Sequence, residues 1–161
     1  MLFHNLEGKK FEAVPAVEGS GLADVIAGRG MAVGDLFNDG KIDAVINVMD
    51  GHPVLLRNVN PDKNHWLEFK LVGGGKTATS AGSPRDAVGA TMYVTANGMK
   101  QRGDVISGGS YLSSNDPRPH FGLGAATTVD AIEVHWPSGK VEKFTVPGVD
   151  RIVTLTEGTG K

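Results

Sequence analysis

Gly34-Asp35-Leu36-Phe37-Asn38-Asp39-Gly40-Lys41-Ile42-Asp43 is the stretch around which the rest of the chain is organised. Counted from Asp35, carboxylates fall at positions 1, 5 and 9, with glycine at position 6. Hard cations take roughly six to eight oxygens from a tightly curled loop, and a central glycine lets the chain turn sharply. Met31-Ala32-Val33 precedes the stretch and Ala44-Val45-Ile46-Asn47-Val48 follows it. Both runs are rich in β-branched residues and too short for helices, so they read as paired strands. The stretch therefore predicts a cation loop at a hairpin tip, with Asp35, Asp39, Asp43 and the Lys41 backbone carbonyl as oxygen donors. The same residues also read as an Asn-Asp-Gly turn kept for its backbone shape, its acids in solvent.

On the N-terminal side, residues 1–18 read as a hairpin: Leu2–Asn5, a turn at Glu7-Gly8-Lys9-Lys10, then Phe11–Val14. Residues 19–30 read as a loop, and Val54–Asn58 as a strand after the Asp50-Gly51-His52-Pro53 turn. The 35–43 stretch resembles the FG-GAP/VCBS calcium loop of integrin-type β-propellers, D-x-[DN]-x-D-G-x-x-D. It departs at position 3, where Phe37 brings no side-chain oxygen. Leu2-Phe3 and Asn5, followed by Gly8 and Phe11, resemble the close of a preceding blade. The resemblance implies calcium in the loop and a repeat segment over residues 1–60. A propeller closes with at least about four blades, so this partial propeller-like segment is expected to end a repeat region in a longer exported protein.

The chain has 161 residues, room for one domain and a fragment of another. Glycine accounts for 23 of them, about double the usual share of roughly 7%. With no long helical periodicity beside it, that share points to an all-β protein. Net charge is −2 with Lys and Arg scattered, which argues against nucleic acid as a partner. There is no cysteine, so disulfide and thiolate chemistry are excluded. No apolar run approaches the ~18 residues of a membrane span, and residues 1–7 lack the pattern of a signal peptide.

Asn60-Pro61-Asp62-Lys63 reads as a boundary before a second domain over residues 64–161. His65–Val72 alternates with period two: Leu67, Phe69 and Leu71 make one apolar face, and Trp66, Glu68, Lys70 and Val72 the other. Gly73–Ser83 is a small, polar, mobile-looking loop. Its Gly-Lys-Thr lacks the leading glycine and the following helix of a phosphate loop. Ala90–Ala96 and Lys100–Ile106 flank Asn97-Gly98, a hairpin turn signal. His120–Leu123, Val129–His135, Val141–Val146 and Arg151–Thr156 add strands at the spacing of a β-sandwich.

Four stretches carry a second resemblance: Asn64–Leu67, Arg85–Ala90, Ser107–Gly124 and Val129–Gly139. In order and spacing they resemble the ASPIC/UnbV domain, which follows FG-GAP/VCBS repeats in cartilage-acidic-protein-like and many bacterial proteins. The resemblance implies an extracellular or periplasmic, integrin-like context, with binding or adhesion in place of catalysis.

Ser110, Asp116 and His120 are the residue types of a hydrolase triad, but no G-x-S-x-G elbow frames them. The five histidines lack paired ligand spacing. Trp66 and Trp136 read either as core or as a sugar-stacking platform, and Arg118 as a partner for Asp116 or Asp86. If the segment is exposed, Ser110, Tyr111, Asn115, Asp116, Arg118 and His120 form a recognition loop. The expectation is a non-enzymatic adhesion module for a protein or carbohydrate ligand, without membrane insertion. Self-association through open strand edges is the alternative, and a hydrolase using Ser107–Gly124 a third.

Overall fold

The computed structural model describes residues 2–6, 8–77 and 80–161, with backbone only at 76, 77, 80 and 81. Glu7 of the expected first turn and Ala78 and Thr79 of the glycine-rich segment lie outside the described residues. The described chain is all β. Its first strands are β1 (Leu2–Leu6), β2 (Lys10–Val14), β3 (Gly28–Gly34), β4 (Asp43–Val48) and β5 (Val54–Leu56). Then come β6 (His65–Val72), β7 (Lys76–Thr77), β8 (Ser80–Ala81), β9 (Thr91–Ala96), β10 (Met99–Asp104), β11 (Gly109–Ser110) and β12 (Ser113–Ser114). The last are β13 (His120–Gly124), β14 (Ala131–His135), β15 (Val141–Phe144) and β16 (Arg151–Thr156).

The sandwich is built from strands between β6 and β16. One sheet runs β13-β6-β16, with β6 antiparallel to β13 and parallel to β16. The other runs β10-β9-β14-β15. Leu67, Phe69 and Leu71 of β6 meet Met92 and Val94 of β9 and Ile132 and Val134 of β14 in one buried cluster. Phe121 packs edge-on against Phe69, with ring centroids 5.8 Å apart. Every buried apolar side chain of this core lies between Leu67 and Leu155. Burying such side chains is the main favourable term in folding.

Residues before β6 are organised differently. β1 and β2 form a two-stranded ribbon, and β3-β4-β5 an antiparallel meander. The buried residues of this segment are Gly30, Gly34, Asp35 and Asp43, so it is held by close backbone approach and hydrogen bonds. Two short ribbons, β7-β8 and β11-β12, lie in segments that the sequence reads as loops. Their glycines and serines carry little strand propensity, so the pairing has no signal beyond hairpin geometry.

Of its two readings, Trp136 takes the core one in the structure. It is buried and packs edge-on against Phe144 in the core, so no platform with Trp66 exists.

Candidate functional site

The 35–43 stretch is a hairpin tip between β3 and β4, and it lies on the outer face of β6. Two features let it approach. Gly40 has a left-handed φ of 81°, and a Cβ there would overlap the Trp66 indole. Trp66 in turn stacks on His120, the planes 9° apart. The His120 ring donates from Nε2 to the Gly40 carbonyl at 2.9 Å.

Arg118 is the centre of the junction. Its guanidinium donates to the Asp35 carbonyl at 3.0 Å, to Asn38 Oδ1 at 2.9 Å and to both carboxylate oxygens of Asp116. Nη1 also lies 2.9 Å from Glu68 Oε2, close enough for charge attraction though not aligned as a hydrogen bond. Glu68 is fully buried, and neither carboxylate oxygen has a hydrogen-bond partner. Burial lifts its carboxyl to about 7; Arg118 opposes the rise, while Asp116 and Asp35 add to it. Burial also pushes Asp116 upward, but its bonds to Arg118 win and hold it below its usual value. The pairing expected for Arg118 is thus with Asp116; Asp86 pairs with Arg85 at 3.1 Å.

The segment 110–120 serves the same junction. Ser110 and Ser113 hydroxyls donate to the Met31 carbonyl at 3.0 and 2.8 Å. The Asn115 side chain accepts from the Val33 amide at 3.1 Å, and the Asp116 amide donates to the Val33 carbonyl at 2.9 Å. This segment therefore caps the free edge of β3. Of the six recognition-loop residues, Ser110 and Tyr111 are exposed; the Ser110 hydroxyl is spent on Met31, whereas Tyr111 is 69% exposed, beside Leu112 at the same exposure. Leu112 sits at φ 50°, a costly conformation for leucine.

Ser110, Asp116 and His120 hold separate partners, Met31, Arg118 and Gly40, and form no hydrogen-bonded relay. The three carboxylates among the expected cation ligands are likewise engaged elsewhere. Asp35 accepts the Asp39 and Gly40 amides at 3.0 and 2.7 Å. Asp43 accepts the Leu36 and Asn58 amides at 3.2 and 2.8 Å. Asp39 accepts the Lys41 amide, and its other oxygen lies 3.6 Å from Arg57. Among the described residues, no three His, Cys, Asp or Glu side chains are arranged to hold a metal ion. As arranged, the loop does not fit calcium, which needs convergent oxygens.

Residues 80–161 match the family model described as ASPIC and UnbV. The chain belongs to this family. The ASPIC and UnbV match contains Arg118, His120 and the β11-β12 ribbon, while Trp66, Glu68 and the acidic loop lie upstream of it. The chain is also similar to Cartilage acidic protein 1 of Xenopus tropicalis, 30% identical over 118 residues. That match covers 71% of this chain, so it reaches upstream of residue 80, and 17% of the relative's length. No helix among the described residues is long and apolar enough to cross a membrane.

Glu68 and Arg57 are the junction residues that sequence reasoning missed, and Trp66, read there as core or as a sugar-stacking platform, packs against Gly40 and His120. Period-two alternation places Trp66 and Glu68 on the polar face of β6, and nothing local says that another segment covers that face.

Proposed function

We propose that this chain is a non-catalytic binding module of an extracytoplasmic protein, with the Tyr111–Leu112 tip as its contact point for a protein or carbohydrate ligand. The observation that carries the reading is a division of labour within one segment. The polar groups that chemistry would need are spent on internal bonds, while an aromatic and an aliphatic side chain are held out on a strained turn. Strain of this kind persists where the surrounding structure fixes it, often at binding sites, and exposed aromatics suit recognition. Membership of the ASPIC and UnbV family and likeness to a protein named for cartilage support the extracytoplasmic setting.

The test is a panel of immobilised matrix proteins and polysaccharides probed with the wild type and a Tyr111→Ala/Leu112→Ala variant. Binding that the double variant loses, at unchanged thermal stability, is expected. Hits indifferent to both changes would remove the tip from the account. Turnover of ester or glycoside substrates that Ser110→Ala abolishes would replace binding with catalysis.

A second reading has its own observation. The β1-β2 ribbon carries Leu2, Phe3, Phe11 and Val14 exposed, and pairs with no other strand among the described residues. Two-stranded ribbons are marginal in water, so a further strand added to this edge would stabilise it. Self-association that rises with concentration in analytical ultracentrifugation, and falls in Phe3→Lys, is the expected result.

A further inference from the structure

Five acids gather at the junction: Asp35, Asp39 and Asp43 in the loop, with Glu68 and Asp116 behind it. Unbalanced, they would repel one another, and Glu68 has no water to share its charge with. Two guanidinium groups stand among them. Arg118 comes from the far half of the chain and reaches a backbone oxygen and a side-chain oxygen of the loop, together with both rear acids. Arg57 follows β5. Its Cζ lies 4.1 Å from the centroid of the Phe37 ring, and Nη2 lies 3.6 Å from Asp39.

Phe37 is the residue that breaks the cation-loop pattern, and here it gains a role. It replaces an oxygen that would reach for a mobile cation with a ring face that holds a fixed one. Arg118 is suited to the other side because its planar fork offers five donors in set directions and stays charged at any ordinary pH. The carboxylates complete the picture. With Asp35 and Asp43 each accepting two backbone amides, about half of the four lone-pair sites of each carboxylate are already used, and a divalent ion would have to push against Arg118.

We propose that Arg118 and Arg57 serve as built-in cations for this loop, standing in for calcium, so that its docking onto the sandwich is independent of metal. This goes beyond the binding-module reading and does not rest on it. Arg118 thereby takes two tasks, balancing the acids and fastening the loop to β6.

The experiment is thermal unfolding with millimolar calcium or with chelator, paired with calcium titration calorimetry. The expected wild-type result is the same Tm in both buffers and no binding heat. Arg118→Met is expected to melt several degrees lower in chelator and to recover part of that loss in calcium. A wild-type Tm that rises in calcium, with the rise abolished by Asp39→Ala, overturns the proposal. So does an Arg118→Met chain with the wild-type Tm. If Arg118→Met does not fold, Phe37→Asp carries the test, because it returns an oxygen to position 3 and removes the ring beneath Arg57. Calcium is then expected to raise its Tm and to give binding heat. A Phe37→Asp chain as indifferent to calcium as the wild type overturns the proposal, since the Arg57–Phe37 pairing would then not be what stands in for the ion.

Discussion

Glu68 holds a carboxyl where no water reaches it, and its protonation is therefore tied to folding. Its folded pKa of about 7 lies above the ordinary 4.5, so the native state favours the protonated form. The stabilisation is full below about 4.5 and is lost as pH rises through about 7. With each pH unit between those values worth ~1.4 kcal/mol, the effect is on the order of 3 kcal/mol. Glu68→Gln keeps the shape and removes the titration. Melting curves from pH 5 to 8 should show the wild type losing stability relative to this variant; parallel curves would refute the assignment. Arg118, Asp116, Asp35 and the cross-strand residue His120 surround Glu68 and are present in both proteins, so the difference isolates the one group. Glu157 behaves oppositely. Burial would raise its carboxyl, but the Ser138 hydroxyl and the Gly74 and Ser83 amides hold it at about 2. Its contribution is therefore present above the ordinary 4.5 and lost as pH falls through about 2. Glu157→Ala would leave the buried Ser83 amide without its acceptor, costing about 2 kcal/mol at neutral pH. A lower denaturant midpoint at unchanged slope would register it.

The docked hairpin tip depends on glycine at one point. Gly40→Ala combines a left-handed φ, worth roughly 1–2 kcal/mol, with overlap on the Trp66 indole. The loop should lift from β6 and expose Trp66, seen as a red-shifted fluorescence component. Gly98→Ala is the control, for its φ is 73° and nothing lies within 4 Å of the added methyl. It should cost the conformational part alone and leave the spectrum unchanged; an equal red shift would mean that the clash with Trp66 is not what matters. These elements also show what is legible in the sequence. Leu67, Phe69 and Leu71 announce an inward face because alternation is a local property of a strand. Asn97-Gly98 announces its hairpin because a two-residue turn needs both positive φ values, and both residues have them. The tip between β3 and β4 is legible for the same reason. The other face of β6 is not, because Glu68 is covered by residues about thirty positions earlier. Nor is the inward turn of Ser110, Asn115, Arg118 and His120. Polar residues in a glycine-rich segment look alike whether they bond solvent or a neighbouring sheet edge. Phe37 reads as a missing ligand, since its contact with Arg57 exists only once β5 has folded back.

The two halves of the chain are stabilised by different forces. The sandwich buries its apolar side chains in one core, each fully buried one worth about 1.5–3 kcal/mol. The segment before it leaves Met31, Leu36, Phe37, Ile42 and Leu55 exposed and buries Asp35 and Asp43. Its attachment therefore rests on hydrogen bonds and charge, with net values nearer 1 kcal/mol each. Cooperative units with few buried apolar contacts open first. Hydrogen exchange on the intact chain should accordingly divide. The Asp39, Gly40 and Asn58 amides, which donate to Asp35 and Asp43, should exchange by a low-energy opening. Those of Phe69, Val94 and Val134 should wait for global unfolding. Salt sharpens the contrast, because at about 1 M the screening length falls to roughly 3 Å. Protection of the loop should drop there, while the sandwich keeps or gains protection. If both sets instead exchange with one free energy at every salt concentration, the junction is as strong as the core. Arg118 would then join two halves that fold as one unit, with its buried contact to Glu68 outweighing the many exposed polar bonds around it.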